Sequence, residues 1–254
     1  MNDKLQSAAW SLVKPLIGLQ SQRRLKAYLI RNNLCKLAEF HGSDKWGLHR
    51  YAQHYQNHFH RYQFKTFNLL EIGVGGHDNP NIGGASLRMW KSYFPKAKIF
   101  AVDIFDKKPQ EEDRIKIFKG SQADGDFLRW VVAQMGGVDI VIDDGSHLNE
   151  HVALSFDALF PILSDGGVYA IEDLQTSYWP EFGGSEDPLV SGTSIFRLKS
   201  MIDGLNWEEY RNFRAPGHYD QIISSLNFYH NLCFINKGSN TEGSNKNVPQ
   251  VVKA

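Results

Sequence analysis

Short apolar runs alternate with amphipathic stretches along the chain from residue 67 to residue 173. The apolar runs predict strands at residues 67–75, 98–104, 114–120, 138–145 and 166–173. Between them, apolar residues three or four positions apart predict helices at residues 85–94, 126–135 and 151–163. Because the strand runs are almost continuously apolar, we expect parallel strands that are buried on both faces of a sheet.

The pattern changes after residue 173. Residues 175–192 read as a long loop with several aromatic residues and glycines, residues 194–210 as a helix, and residues 222–238 as two adjacent strands. The strand–helix alternation before this point implies right-handed crossovers between parallel strands. We therefore predict an α/β fold with a doubly wound, mostly parallel seven-stranded sheet that finishes in a hairpin.

The N-terminal segment has a different character. Residues 1–40 predict two helices separated near Pro15 or Gly18, and residues 1–38 carry seven basic side chains against the single acid Asp3. Such a segment can contact a membrane surface or an acidic partner, but a helical extension that packs on the domain or on another subunit is favoured. The predicted organisation is a basic helical segment, an aromatic and His-rich connector, an α/β domain and a disordered polar tail, at residues 1–40, 41–66, 67–238 and 239–254.

Composition narrows the class of protein. The chain has 254 residues with 28 basic and 28 acidic side chains, which argues against a general nucleic-acid binder. Its two cysteines are too few for a disulfide framework. The sequence shows neither a signal peptide nor an apolar run of the length that a membrane span requires, so we expect a cytoplasmic protein.

Acidic residues and glycines collect where the predicted strands end, and this is where open α/β sheets bind ligands. Glu71 precedes a glycine run, and a polar loop at residues 77–84 separates that run from the next helix. A pyrophosphate site needs the helix directly after the glycines, so the pattern favours a cationic ligand, S-adenosylmethionine, over a dinucleotide. Asp103 suits ribose hydroxyls and Asp124 an adenine amino group. The predicted cofactor-binding residues are Glu71, Gly73, Gly75, Asp103, Gln122, Asp124 and Asp143.

A second acidic cluster follows the fourth and fifth predicted strands. Neighbouring parallel strands lie about 5 Å apart, so Asp144, Glu172 and Asp173 can converge on one hard cation such as Mg²⁺. His147 lies three residues after Asp144 and can reach a substrate oxygen held by that metal. A divalent ion stabilises an alkoxide and a base removes its proton, which is what methyl transfer to an alcohol needs. The competing interpretation is that Asp143, Asp144 and Asp173 cap helices or satisfy loop amides.

At these residues the sequence resembles the metal-dependent sugar O-methyltransferases of macrolide antibiotic pathways, the mycinamicin and tylosin type. The resemblance covers roughly residues 37–238 and is carried by GSDKWGLHRY, LLEIGVGG, GGASLRMWKSYFP, VDIVIDDGSH, FPILSDGGVYAIEDLQTSYWP and NFYHNLCFINKG. It implies the Rossmann-like fold of class I methyltransferases, S-adenosylmethionine at Glu71, Gly73, Asp103 and Asp124, and Mg²⁺ at Asp144, Glu172 and Asp173. It also implies that His147 is the general base. The acceptor is then a glycosylated natural product or a surface glycan, and a homo-oligomer is an option.

Other functions stay open at this stage. A metal-independent methyltransferase or a nucleotide-dependent oxidoreductase suits the same fold, and a non-catalytic binding module ranks behind both. A catechol methyltransferase is disfavoured because no lysine occurs in IDDGSH or IEDLQ. In the connector, His54 and His58 share a helical face, but without a nearby Cys or acid they favour aromatic packing over a zinc site.

Overall fold

The computed structural model describes residues 18–210 and 215–244. The helix predicted before Pro15 and the greater part of the tail predicted to be disordered, residues 239–254, lie outside these ranges. The described helices are α1 Leu19–Ile30, α2 Leu34–His41, α3 Tyr51–Phe59, α4 Ala85–Tyr93, α5 Gly125–Met135, α6 Asn149–Leu159 and α7 Ser194–Leu205. The strands are β1 Asn68–Ile72, β2 Lys98–Asp103, β3 Ile115–Lys119, β4 Val138–Asp143, β5 Leu163–Ile171, β6 Ile223–Tyr229 and β7 Leu232–Lys237.

The strands form one seven-stranded sheet in the order β3-β2-β1-β4-β5-β7-β6. The first five strands run parallel to their neighbours, while β7 pairs antiparallel with both β5 and β6. The predicted fold class is therefore confirmed, including the terminal hairpin. The order of the strands reverses between β1 and β4, which is where doubly wound sheets bind ligands.

Side chains of each strand alternate between two cores, one on each face of the sheet. In β1, Leu69 belongs to the core shared with α1–α4, whereas Leu70 and Ile72 belong to the core shared with α5–α7. Both faces are buried, as the continuous apolar runs predicted.

The helices ahead of β1 are part of this structure and share its core. Tyr55 and Phe59 of α3 are completely buried, and both rings contact Trp90 of α4 and Phe234 of β7. His58 stacks on Phe234 with 4.0 Å between ring centroids, in line with aromatic packing for the histidines of α3. These contacts hold the loop between α2 and α3 at the carboxyl edge of the sheet.

Helix boundaries differ from the prediction at three places, one of which is α6, which spans Asn149–Leu159 instead of residues 151–163. The helix that was expected to continue through Leu34 ends at Ile30 as α1. A separate helix, α2, begins after Asn33, whose side chain accepts a hydrogen bond from the Lys36 backbone N–H. α7 ends at Leu205 instead of residue 210. None of the helices in residues 18–210 and 215–244 is long and apolar enough to cross a membrane.

Candidate active site

An open cavity of about 990 Å³ lies along the carboxyl ends of β1, β2, β4 and β5. Of the residues predicted to bind a ligand, seven line it: Gly73, Gly75, Asp103, Gln122, Asp144, His147 and Asp173. Four others do not line it: Glu71, Asp124, Asp143 and Glu172. The structure thus brings most of the predicted residues to one cavity and places the remainder around its wall.

Position 73 needs a glycine because the ends of β1 and β4 approach each other closely there. It has φ +96°, and a Cβ there would lie 2.0 Å from the carbonyl oxygen of Asp144. The glycine lets the turns after β1 and β4 touch, which joins the glycine run to the acidic cluster.

We expect Gly73→Ala to lower the free energy of unfolding by at least about 2 kcal/mol, because it adds a backbone clash to an unfavourable φ. Gly136→Ala is the matched control. Gly136 has φ +80°, but no atom lies within 4 Å of the position that a Cβ would take there, so it reports the conformational cost alone. Urea denaturation of both variants measures the difference, and equal losses would contradict the steric explanation.

Backbone contacts orient the side chains at the β2 end of the cavity. Asp103 accepts hydrogen bonds from the backbone N–H groups of Val74, at 2.9 Å, and Phe105, at 2.8 Å. Gln122 accepts one from the Ser146 N–H at 2.6 Å and thereby links β3 to the turn after β4. Asp103 is therefore held in place at the strand end, where predicted ribose recognition needs it.

Three predicted cofactor residues have other partners. Asp124 caps α5 by accepting from the Phe127 N–H at 2.9 Å. Asp143 is buried and accepts hydrogen bonds from Ser155 and Tyr169. Burial raises the pKa of Asp143 despite these partners. The third predicted cofactor residue with other partners is Glu71, whose contacts involve a buried lysine.

Glu71 is completely buried and lies beside a buried lysine. Its Oε2 accepts a hydrogen bond from the Trp90 indole at 3.0 Å, and its Oε1 lies 3.3 Å from the ammonium of Lys45. Burial raises the pKa of Glu71 to about 7, against the lowering effect of Lys45. Glu71 therefore lies behind the cavity wall and does not line the cavity itself.

Lys45 ties three neighbouring strands together. Its Nζ donates to Asp144 Oδ2 at 2.6 Å and to Glu172 Oε1 at 2.7 Å, in addition to the contact with Glu71. The side chain is 0% exposed. Burial alone would lower the pKa of Lys45, but Asp144, Glu172 and Glu71 raise it well above its usual value. The lysine is therefore a permanent buried cation between the glycine run and the acidic cluster.

The open part of the acidic cluster contains Asp144, His147 and Asp173. One candidate ligand atom of each lies within 4.8 Å of the others. His147 Nε2 is 3.5 Å from Asp173 Oδ2 and 3.9 Å from Asp144 Oδ1. His147 has φ 58° and Asp173 φ 52°, unusual values for residues other than glycine. Such local strain is typical of functional sites, because the surrounding structure has to enforce it.

Glu172, the third predicted metal ligand, lies behind this group beside Lys45 and is not among the residues whose ligand atoms converge. Its Oε1 accepts hydrogen bonds from Lys45 and, at 2.5 Å, from the Tyr55 hydroxyl. Its Oε2 accepts no hydrogen bond from residues 18–210 and 215–244. Burial and the charge of Asp144 raise the pKa of Glu172 well above its usual value. Tyr51 similarly holds Asp173, donating to its Oδ1 at 2.8 Å.

Sequence reasoning missed Lys45, Tyr51 and Tyr55 as parts of the site. All three lie in the stretch treated as a connector, whose run GSDKWGLHRY was noted only for its resemblance. That run, unusual for a solvated loop, was the available signal.

Comparison with known proteins identifies relatives of this chain, although no family model matches it. It is 47% identical over 215 residues to mycinamicin VI 2''-O-methyltransferase of Micromonospora griseorubida, covering 83% of this chain. It is 46% identical over 210 residues to 8-demethyl-8-alpha-L-rhamnosyl tetracenomycin-C 2'-O-methyltransferase of Streptomyces olivaceus, covering 82% of this chain. The chain spans about half the length of these relatives, 54% and 55% respectively.

A solved structure gives the same result. MycE methyltransferase from the mycinamycin biosynthetic pathway, in complex with Mg, SAH and mycinamycin VI, superposes with a TM-score of 0.82 at 46% identity. The match covers 86% of this chain and 57% of that one. The resemblance expected from the sequence motifs is confirmed. Over the region that they share, this chain belongs with the natural-product sugar O-methyltransferases, on the fold of class I S-adenosylmethionine-dependent methyltransferases.

Proposed function

We propose that the protein is an S-adenosylmethionine- and Mg²⁺-dependent O-methyltransferase that acts on a sugar hydroxyl. One observation carries the proposal: Asp144, His147 and Asp173 converge at a cavity whose far wall is the glycine run and Asp103. A methyl donor bound along the glycines and an acceptor oxygen at the acidic cluster would therefore meet in the same space. The sequence relatives carry out this class of reaction.

The acidic cluster fits a hard divalent cation. Asp144 and Asp173 supply carboxylate oxygens on the open side, and Glu172, whose Oε1 accepts from Lys45 and Tyr55, would offer its Oε2 from the end of the neighbouring strand. A divalent ion bound here would add to the positive charge of Lys45 and favour the ionised form of Glu172, whose pKa burial raises. Oxygen ligands and open positions for water or substrate are what Mg²⁺ prefers. In the second arrangement that the geometry allows, His147 replaces Glu172 as a ligand.

Each residue then has a definite task in the reaction. When bound, Mg²⁺ would lower the cost of ionising an acceptor hydroxyl by several kcal/mol. His147 takes the proton of that hydroxyl at Nε2, with Asp173 stabilising the imidazolium that results. Lys45 and Tyr51 hold the carboxylates in place from the side away from the substrate.

Metal binding provides the direct test. Asp144→Asn in chelator-treated protein is expected to weaken Mg²⁺ binding at least tenfold by calorimetry, because it removes a charged ligand oxygen. Asp165→Asn is the control, since Asp165 is an exposed acid near the start of β5. Unchanged Mg²⁺ binding in the Asp144 variant would contradict the proposed metal site.

The cofactor is tested in the same experiment. Titration of S-adenosylmethionine and NADH into the wild-type protein separates a methyltransferase from an oxidoreductase, and binding of NADH alone would reject the proposal.

As acceptor we propose a glycosylated natural product or a surface glycan. A cytoplasmic location, a homo-oligomeric state and membrane contact through residues 1–40 stay predictions.

A further inference from the structure

One acidic residue of the cavity has no part in the groups described so far. Asp44 lines the cavity together with Gly42 and Ser43, in the loop between α2 and α3. Asp44 is exposed, and its carboxylate has no hydrogen bond or ion pair with residues 18–210 and 215–244, although its charge helps to raise the pKa of the neighbouring Lys45. The neighbours fix its backbone: Ser43 and Lys45 are buried, and the Asp44 carbonyl accepts from the His49 N–H at 3.0 Å. Asp44 thus presents an exposed carboxylate to the cavity from a loop whose backbone is anchored by its neighbours.

The other carboxylates of the cavity already have tasks. Asp103 is held by two backbone N–H groups at the end of β2, where the nucleoside would bind. Asp144 and Asp173 form the acidic cluster, which the methyl group has to face. Glu71, the acid that the sequence assigned to the cationic cofactor, does not line the cavity. A ligand whose nucleoside lies at Asp103 and whose methyl group faces the acidic cluster has one further part, which would contact the remaining wall of the cavity.

This further part is the α-amino acid group of S-adenosylmethionine, which carries an ammonium and a carboxylate. The remaining wall offers a complementary pair of features. Ala85 and Ser86 line the cavity in the first turn of α4, where free backbone N–H groups favour an anion. Asp44 supplies the negative charge that an ammonium needs.

The geometry points to Asp44 as the residue that binds the α-ammonium group of the cofactor, so that a residue ahead of the sheet completes the cofactor site. This inference rests on the proposed function. It makes Asp44 a binding residue for the amino acid part of the ligand and leaves the adenosine part to Asp103 and the glycine run.

Calorimetry with two ligands tests it. S-adenosylhomocysteine carries the amino acid group, whereas 5′-deoxy-5′-methylthioadenosine keeps the nucleoside and the sulfur but lacks that group. Asp44→Asn is expected to weaken S-adenosylhomocysteine binding roughly 10-fold to 100-fold, the loss typical of one hydrogen bond to a charged group. Binding of methylthioadenosine should change less than about twofold, because Asp44 does not touch the nucleoside. A deamino analogue of S-adenosylhomocysteine should bind both proteins equally.

Asp78→Asn is the matched control, because Asp78 is an exposed acid of the loop after the glycines that does not line the cavity. Unchanged S-adenosylhomocysteine binding in Asp44→Asn would overturn the inference while leaving the proposed function intact. An equal loss for both ligands would also overturn it, since Asp44 would then act on the whole site. Absence of S-adenosylhomocysteine binding in the wild type would reject the proposed function and this inference with it.

Discussion

Replacing His147 with alanine is expected to reduce turnover by about 10²–10⁴-fold, the usual contribution of a general base. Cofactor binding should stay unchanged, because His147 Nε2 faces the acids of the cluster, 3.5 Å from Asp173 Oδ2. A sugar hydroxyl holds its proton tightly at neutral pH, so losing the proton acceptor affects the chemical step. Single-turnover rates with saturating S-adenosylmethionine and a methylated-sugar readout measure the effect.

The control is His151→Ala. His151 also lines the cavity, but its Nδ1 is engaged with the Ser146 hydroxyl at 2.9 Å and it is not part of the acidic cluster. Its variant should retain most of the activity. Unchanged turnover in His147→Ala would remove His147 as the base. A loss of Mg²⁺ affinity in that variant would instead assign His147 as a metal ligand.

The largest effect on stability is expected for Lys45→Met. The free energy of unfolding should fall by about 3–5 kcal/mol, because the buried carboxylates of Glu172 and Glu71 and the partly buried one of Asp144 lose their shared cation. Lys107→Met is the matched control. Lys107 is equally buried, but its ammonium donates to the carbonyl groups of Asn79 and Ile82, so its loss leaves no unpaired charge.

The pH dependence of the Lys45 variant has a definite sign. The pKa of Glu71 is raised by burial from 4.5 to about 7, so its ionised form opposes folding increasingly as the pH rises through that interval. Lys45 offsets this cost in the wild type and stays charged throughout, because its own pKa is raised. Without Lys45 the pKa of Glu71 would rise further, so the stability deficit of Lys45→Met should grow as the pH rises above about 7, where the wild-type carboxylate is ionised and that of the variant is still protonated. A deficit independent of pH in urea denaturation would contradict the charge argument.

The sequence predicted the sheet well because each buried strand leaves a continuous apolar run, and chain order with right-handed crossovers then limits the topology. The sequence also predicted Glu71 as a cofactor-binding residue, whereas the structure places its side chain behind the wall of the cavity. Glu71 is the fourth residue of β1 and points, like Leu69, into the core under α1–α4, where Trp90 and Lys45 meet it. A side chain inside a strand follows the alternation of the pleat, whereas Asp103 is the final residue of β2.

The missing parts of the site could not be predicted because they depend on long-range packing. A lysine between Asp44 and Trp46 reads locally as a solvated loop residue. Only the docking of α2 and α3 on the sheet brings it to Asp144, which is 99 residues away in sequence. The cluster at Asp144, Asp173 and His147 was predictable, because strand ends of a parallel sheet lie at one edge and need no such docking.

The buried lysine also has a consequence for the timing of synthesis. Lys45 and Glu172 are separated by 127 residues, so at 5–20 residues per second the ribosome makes the acid roughly 6 to 25 s after the lysine. During this interval the nascent chain holds an ammonium whose partners on β4 and β5 do not yet exist. The segment from α2 to α3 consequently cannot take its native position until β5 has been synthesised, so the contacts of Lys45 with Asp144 and Glu172 form only after the first five strands exist.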